Sequence, residues 1–387
     1  MNYSDMPEER QTSTDNPYRR IIISGGGTGG HIFPAIAIAN ALSAQYAPLR
    51  ILFVGAEGRM EMKKVPEAGY RIIGLPVRGF DRKHLWKNFE VLYRLVKSLF
   101  IARIIIRRFR PDAVIGVGGY ASGPVLFAAS RKGIPTLIQE QNSYAGVTNR
   151  ILAKRVNRIC VAYEGMERYF PADRITVTGN PVRESLLEST VMREQSMLFF
   201  DFAEDRPTIL SLGGSLGART INRSVLGALN GLPHDIYMIW QTGEEYYEIA
   251  RRAVADKNLQ SRIKVFRFIE RMDLAFAASD LVISRAGAST ISELCITGKP
   301  CILVPSPNVA EDHQTKNAMT LTEKGAAIMI PDSEAGDRLM SVAIATVQNR
   351  NVLEPLADRI RMLAKFRSAE TIAHIVMEIM NSKRQKK

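Results

Sequence analysis

The residues best suited to chemistry lie beside glycines. His31 closes the run Gly25-Gly26-Gly27-Thr28-Gly29-Gly30. A helix start just past a glycine turn favours a neutral imidazole, the form that acts as a general base. A bond to local backbone is the plainer role for the same ring. The turn itself is an anion-binding corner, because unpaired N–H groups and the positive end of a helix dipole point at one spot. A second set is Arg285-Ala286-Gly287-Ala288-Ser289-Thr290-Ile291-Ser292-Glu293. There Glu293 can accept hydroxyl bonds from a ribose diol, while Ser289 and Thr290 can face a diphosphate. Thr290-x-x-Glu293 also has the spacing of a capping box, in which Glu293 only closes its own helix. Arg183, in Gly179-Asn180-Pro181-Val182-Arg183, and Ser215, in Gly213-Gly214-Ser215-Leu216-Gly217-Ala218-Arg219, are further phosphate candidates. Arginine offers its fork, serine its hydroxyl and the nearby N–H groups.

These residues need strands and helices to hold them. Ile21-Ile22-Ile23 reads as a buried parallel strand, and Ile32 to Ala39 begins a helical pattern. Further strands are expected at 50–55, 70–75, 113–117, 136–139 and 158–162, with helical stretches between most of them. This alternation argues for parallel βα units, whose ligands bind at the carboxyl ends of strands. Thr208 to Leu212 begins a second series, with strands expected at 237–240, 263–269, 281–284 and 300–305. Gly26, Gly27, Thr28 and Gly30 match Gly213, Gly214, Ser215 and Gly217 in order and type. Two such corners predict an α/β protein of two doubly wound domains, each opening with its own anion site.

Composition bounds the rest. A chain of 387 residues suits two or three domains, and 46% apolar residues suffice for sizeable cores. The net charge of +13 suits an anionic partner, whether nucleic acid, anionic lipid or a phosphorylated ligand, and does not choose among them. Cys160, Cys295 and Cys301 have no metal-site spacing, Cys295 and Cys301 read as buried thiols, and a reducing compartment fits. No Asp-x-Asp, His-Glu-x-x-His or Gly-x-Ser-x-Gly occurs, so metal and cofactor are expected to be absent and no serine-hydrolase elbow is visible. Met1 to Arg20 is polar and reads as a disordered tail without a signal peptide. The uncharged stretch Ala113–Ser130 is broken by glycines and Pro124, and predicts strand, turn and buried helix rather than a membrane span.

Residues 79–110 differ in character. Phe80, Leu85, Trp86 and Phe89 alternate with Arg82, Lys83 and Lys87, and a helix then carries Leu92, Val96 and Leu99. One reading is a core-facing helix with a solvated basic face. The sharper reading is an interfacial membrane patch, with apolar groups in the headgroup zone and cations on anionic lipid.

Taken in order, Gly26–Pro34, Gly118-Gly119-Tyr120, Gln141-Asn142, Gly179–Arg183, Gly213–Arg219 and Arg285–Glu293 closely resemble the bacterial peptidoglycan N-acetylglucosaminyltransferases. The resemblance implies a GT-B fold, two Rossmann-like domains facing across a cleft. It implies domains at 20–182 and 183–360, preceded by a tail at 1–19, with 361–387 returning to the first domain. It implies UDP-N-acetylglucosamine as donor and undecaprenyl-diphosphate-N-acetylmuramoyl-pentapeptide (lipid I) as acceptor. Carried over by motif, Thr28, Gly29, Gly30, Asn142, Arg183, Ser215, Ile269, Ala288, Ser289, Thr290, Ile291, Ser292, Glu293 and Gln314 would hold the nucleotide sugar. Gly26, Gly27, Gly118, Gly119 and Tyr120 would meet the acceptor and its diphosphate, and His31 would be the base. His313-Gln314 stands where the family often has a Gln-Gln pair.

The reaction so implied is inverting and metal-independent. The acceptor C4 hydroxyl attacks the anomeric carbon, His31 takes the proton, and Ser215 and Arg183 stabilise the leaving UDP. A peripheral place on the cytoplasmic face of the inner membrane, and contacts with cell-wall synthesis and division proteins, are further expectations. Two rivals stand beside this. Gly25-x-Gly27-x-x-Gly30, with Glu57 on the ribose, fits a nicotinamide-dependent oxidoreductase, but leaves the second corner without a task. A basic nucleic-acid-binding protein would cluster its charge, whereas here it is spread along the chain.

Overall fold

Strands rich in Ile, Val and Leu form where both faces of a sheet will be covered. The computed structural model describes residues 18–27, 29–79, 88–187, 190–213 and 218–384. They divide into two units, one running to Val182 and resuming at Arg367, the other spanning Arg183–Phe366.

The first unit alternates β1 (Arg19–Ser24), α1 (Gly29–Gln45), β2 (Leu49–Ala56), α2 (Glu61–Glu67), β3 (Arg71–Leu75), α3 (Asn88–Phe109), β4 (Ala113–Gly116), α4 (Ser122–Arg131), β5 (Thr136–Glu140), α5 (Val147–Leu152), β6 (Arg158–Val161) and β7 (Ile175–Val177). All pairings are parallel, in the order β3-β2-β1-β4-β5-β6-β7. Ile21, Ile22 and Ile23 are 0% exposed because helices cover both faces of β1. Each such side chain contributes about 1.5–3 kcal/mol. Arg19, expected in the tail, is already paired with Leu49, so the strand starts there. The rest of the expected tail, residues 1–17, lies outside the described residues.

The second unit contains α6 (Glu184–Leu187), α7 (Arg193–Phe199), β8 (Thr208–Leu212), α8 (Arg219–Ala228), β9 (Tyr237–Gln241), α9 (Glu244–Asp256), β10 (Ile263–Phe266), α10 (Met272–Ala278), β11 (Leu281–Ser284), α11 (Ala288–Thr297), β12 (Cys301–Leu303), α12 (His313–Thr322), β13 (Ile328–Met329), α13 (Ala335–Val347) and α14 (Arg350–Met362). Its parallel sheet has the order β10-β9-β8-β11-β12-β13. The last helix, α15 (Ser368–Arg384), belongs to the first unit, where Ile372, Ala373 and Val376 share a core with Ile32, Ala35 and Ile38 of α1. Residues 361–366, assigned from sequence to that returning segment, stay with the second unit.

Both sheets have the same plan. The first strand of each series sits centrally, and the order reverses between it and its other neighbour, β1 beside β4 and β8 beside β11. At such a switch point the following loops part, and a crevice opens beyond the carboxyl ends of the strands. The glycine corners after β1 and β8, and the loops Val117–Tyr120 and Arg285–Gly287, therefore all lie at switch points. The edge strands β7 and β13 escaped the sequence reading, being three and two residues long and only half-buried. Ala113–Ser130 is strand, turn and buried helix, as expected.

Candidate active site

In the first unit, the loops after β1, β4 and β5 close on one another. Gly119 has φ +80°, and a Cβ there would lie 2.3 Å from the Gly26 carbonyl oxygen, so only glycine lets these two loops approach. A Cβ on Gly118 would fall 2.8 Å from Cδ2 and 2.9 Å from Nε2 of His31, which places the imidazole against this loop. His31 thus stands in the first turn of α1 with Gly118 as its floor. That turn carries no acidic side chain, which leaves the helix dipole to a ligand.

The loop after β5 is fastened from beneath. Gln141 donates through Nε2 to the Val117 carbonyl at 2.7 Å and also meets Gln139 Oε1. Asn180 donates to the Gln141 carbonyl at 3.0 Å and accepts from Gln139 at 3.0 Å. Asn142, expected at the sugar, is set by Glu140, which accepts its N–H at 3.1 Å and its side-chain amide at 3.3 Å. Glu140 also takes Gly146 N–H at 3.0 Å and Asn149 Nδ2 at 2.8 Å. This carboxylate is 2% exposed and was not singled out in the sequence; the signal available was its position at the end of a strand at the mouth of a loop. Tyr120 is exposed, beside Gly79. Gly27 has its N–H taken by Glu61 rather than open to a substrate anion. Thr28 lies outside the described residues.

In the second unit, α11 begins directly after β11, with Gly287 in extended backbone as its N-cap. The first bond of the helix runs from Ile291 N–H to the Gly287 carbonyl at 2.9 Å. The N–H groups of Ala288, Ser289 and Thr290 precede it and have no acceptor within the helix. Ser289 Oγ is buried with no hydrogen-bond partner among the described residues, and Ser292 Oγ donates back to the Ala288 carbonyl at 3.0 Å. Thr290 lies inside the first turn, so it is not the cap, and Glu293 closes no capping box. Its carboxylate meets Arg183 instead, with Nε 2.9 Å from Oε1. Burial pushes the Glu293 carboxyl up, and the Arg183 guanidinium partly opposes that shift. A carboxylate that is 6% exposed and paired with one cation has oxygen lone pairs to offer a hydroxyl ligand.

The remaining candidates frame the same region of this unit. Ile269 is buried, and its N–H is bonded to Gln241 Oε1 at 2.9 Å. Gln314, the second residue of α12, accepts Ser306 N–H through Oε1 at 2.8 Å. Arg285 is tied to the Val304 carbonyl at 3.1 Å and to the Asp332 carboxylate, which makes it a brace for the loop after β11. Ser215 lies outside the described residues; its flanks are Gly213, whose N–H donates to the Gln241 carbonyl at 3.0 Å, and Ala218, which precedes α8. The buried thiols are inert, since burial raises Cys160 and Cys295 to about 12 and Cys301 further still.

Two doubly wound α/β domains with glycine loops at both switch points form the GT-B class of glycosyltransferase architecture. The glycosyltransferase family 28 N-terminal domain matches residues 21–161, and the family 28 C-terminal domain matches residues 208–374. The chain belongs to glycosyltransferase family 28. It is 55% identical over 373 residues, 94% of its length and 99% of the relative's, to the UDP-N-acetylglucosamine--N-acetylmuramyl-(pentapeptide) pyrophosphoryl-undecaprenol N-acetylglucosamine transferase of Parabacteroides distasonis. The protein of that name from Bacteroides thetaiotaomicron is 56% identical over 362 residues, covering 93% of this chain and 97% of the relative. The crystal structure of Acinetobacter baumannii MurG superposes with a TM-score of 0.73 at 30% identity, covering 93% of this chain and 99% of that one. These matches favour neither the oxidoreductase nor the nucleic-acid-binding alternative.

Proposed function

We propose that this protein transfers N-acetylglucosamine from UDP-N-acetylglucosamine to the C4 hydroxyl of lipid I, giving lipid II by a β-1,4 linkage with inversion, in peptidoglycan synthesis. Identity of 55–56% along nearly the full length of relatives bearing that activity in their names carries the reading. The geometry supports a division of labour between the units. In the second, the first-turn N–H groups of α11 and the Ser289 hydroxyl suit the donor diphosphate, and Glu293 suits the ribose. Arg183 neutralises charge building on the departing UDP, where a fixed cation counts most. In the first, the N-terminal turn of α1 and Gly118-Gly119 suit the acceptor, Asn142 suits the sugar, and His31 removes the C4 hydroxyl proton as the bond forms. The test is transfer of labelled N-acetylglucosamine from UDP to a lipid I analogue with a chelator present. Product carrying the label is expected; a purified, folded protein that yields none overturns the assignment.

We further infer that the first unit rests on an anionic membrane surface through α3. Phe80 to Lys87, where sequence reading places most of the patch, lie outside the described residues. Phe89, Leu92, Tyr93, Val96 and Phe100 recur at helical spacing and are 54–81% exposed, while Ile101, Ala102, Ile105 and Ile106 give the same helix the core face also expected of it. Exposed Lys97, Arg103 and Arg107 flank them. Exposed aromatic and aliphatic side chains among cations are the signature of interfacial docking. Among the described residues no helix is long and apolar enough to cross a membrane. Phe89→Ser with Phe100→Ser is expected to cut binding to vesicles containing anionic lipid by at least about tenfold, since each buried phenylalanine contributes about 1.5–3 kcal/mol. Unchanged partitioning by co-sedimentation would leave the stripe without a membrane role.

A further inference from the structure

The first glycine corner already holds an anion of its own. Glu61, in the first turn of α2, is 1% exposed. Both carboxylate oxygens stand 3.0 Å from the Gly27 nitrogen, and Oε1 also accepts Ala56 N–H at 2.9 Å. The packing is tight: a Cβ on Gly26 would lie 2.0 Å from Oε1, and a Cβ on Gly55 would lie 2.6 Å from Cγ. Among the described residues its hydrogen-bond partners are these backbone N–H groups. A buried carboxylate costs several kcal/mol in lost hydration unless donors compensate, and here the Gly27 and Ala56 N–H groups do so. An apolar side chain would leave both N–H groups without this acceptor, so the carboxylate fixes the backbone around it. Its position says which backbone that is. It bridges the end of β2 to the loop between β1 and α1, and that loop sets where α1, and hence His31, begins.

We propose that Glu61 is a positioning residue for the transfer reaction, occupying the anion seat at Gly27 for as long as the protein is folded. The proposal rests on the acceptor-side reading of this corner. Its carboxylate locks Gly27, the Gly26 carbonyl then stays against Gly119, and His31 is held over Gly118. An acceptor diphosphate consequently finds its donors in the N-terminal turn of α1 rather than at Gly27. No bond forms or breaks at Glu61; it acts through the loop. In sequence it sits four residues past Glu57, the acidic residue that the dinucleotide fingerprint would have recruited.

The informative variant is Glu61→Gln, which keeps the shape but turns an NH2 toward backbone N–H donors. Misplacing a catalytic group by about 1 Å can cost about 10²-fold, so kcat is expected to fall at least about tenfold while the KM for UDP-N-acetylglucosamine stays within about twofold. If Glu61→Gln does not accumulate folded, Glu61→Asp keeps the charge but shortens the reach and is expected to show the same split. In either folded variant, kcat within about twofold of the parent, or a loss confined to donor KM, overturns the proposal. A second measurement needs no variant and no turnover. Hydrogen exchange of the segment 24–33 in the parent protein is expected to be slow at Gly27 and unaltered by inorganic pyrophosphate. Faster exchange on adding pyrophosphate would show the seat being vacated, and would overturn permanent occupancy. If the parent exchanges slowly yet transfers no sugar, the functional reading fails while the occupancy of the corner stands.

Discussion

Replacing His31 with alanine is expected to lower turnover by about 10²–10⁴-fold while leaving donor affinity within about threefold, the pattern of a lost general base. The expectation comes from where the ring sits. It lies in the first turn of α1, with the backbone of Gly118 beneath it, where a side chain at Gly118 would push it away. Proton removal is needed only as the new glycosidic bond forms, so the ring serves the transition state and adds little to ground-state binding of the nucleotide sugar. Steady-state kinetics on a lipid I analogue, with donor affinity measured separately by calorimetry, resolves the two effects. Normal turnover would remove His31 from the reaction, and an equal loss in donor affinity would make it a binding residue.

The second large effect is expected at Glu293. Glu293→Ala should weaken UDP-N-acetylglucosamine binding by about 10–100-fold, or about 1.4–2.8 kcal/mol, with a smaller loss in Glu293→Gln, which keeps one acceptor oxygen. Part of the effect comes from Arg183, whose guanidinium lies 2.9 Å from the carboxylate and would be left facing a cavity. A pH signature should accompany it. Burial pushes the Glu293 carboxyl above the ordinary carboxylate range, so as pH falls it takes up a proton earlier than a surface glutamate and loses acceptor strength. Donor affinity should therefore decline on acidification from a higher pH than usual, and Glu293→Gln should flatten that limb. Unchanged donor binding in Glu293→Ala, measured by calorimetry or thermal shift, would confine this residue to a structural pair with Arg183.

The sequence was informative wherever chemistry demanded a local pattern. Ile21-Ile22-Ile23 reads as a doubly covered strand because a run without polar alternation has no face to show to water, and both of its faces are indeed packed. The paired corners Gly25–Gly30 and Gly213–Gly217 read as the openings of two doubly wound domains because a strand, a glycine turn and a helix are contiguous in the chain. The weak edges β7 and β13 were not legible, since two or three half-buried residues carry no periodicity. Nor was the boundary of the returning helix. The pattern from Glu334 onward is helical throughout, and only packing separates α14, which stays with the second unit, from α15, which joins α1.

For the site, residue type pointed to His31, Glu293 and Arg183, but partners depended on folding. Thr290-x-x-Glu293 has the spacing of a capping box, yet the helix starts two residues before Thr290, and that offset turns Glu293 to Arg183. Glu140 and Glu61 drew no notice as residues in a line. Each became significant when β5 and the first turn of α2 delivered a carboxylate to backbone N–H groups at a loop. By itself the sequence determined the glycine corners, the elements around them and the residue types they present. The tertiary structure decided who meets whom, because a carboxylate's partner is set by which loops the strand order brings side by side. For the corner after β1 that decision was Glu61, which gives Gly27 an acceptor from within the protein.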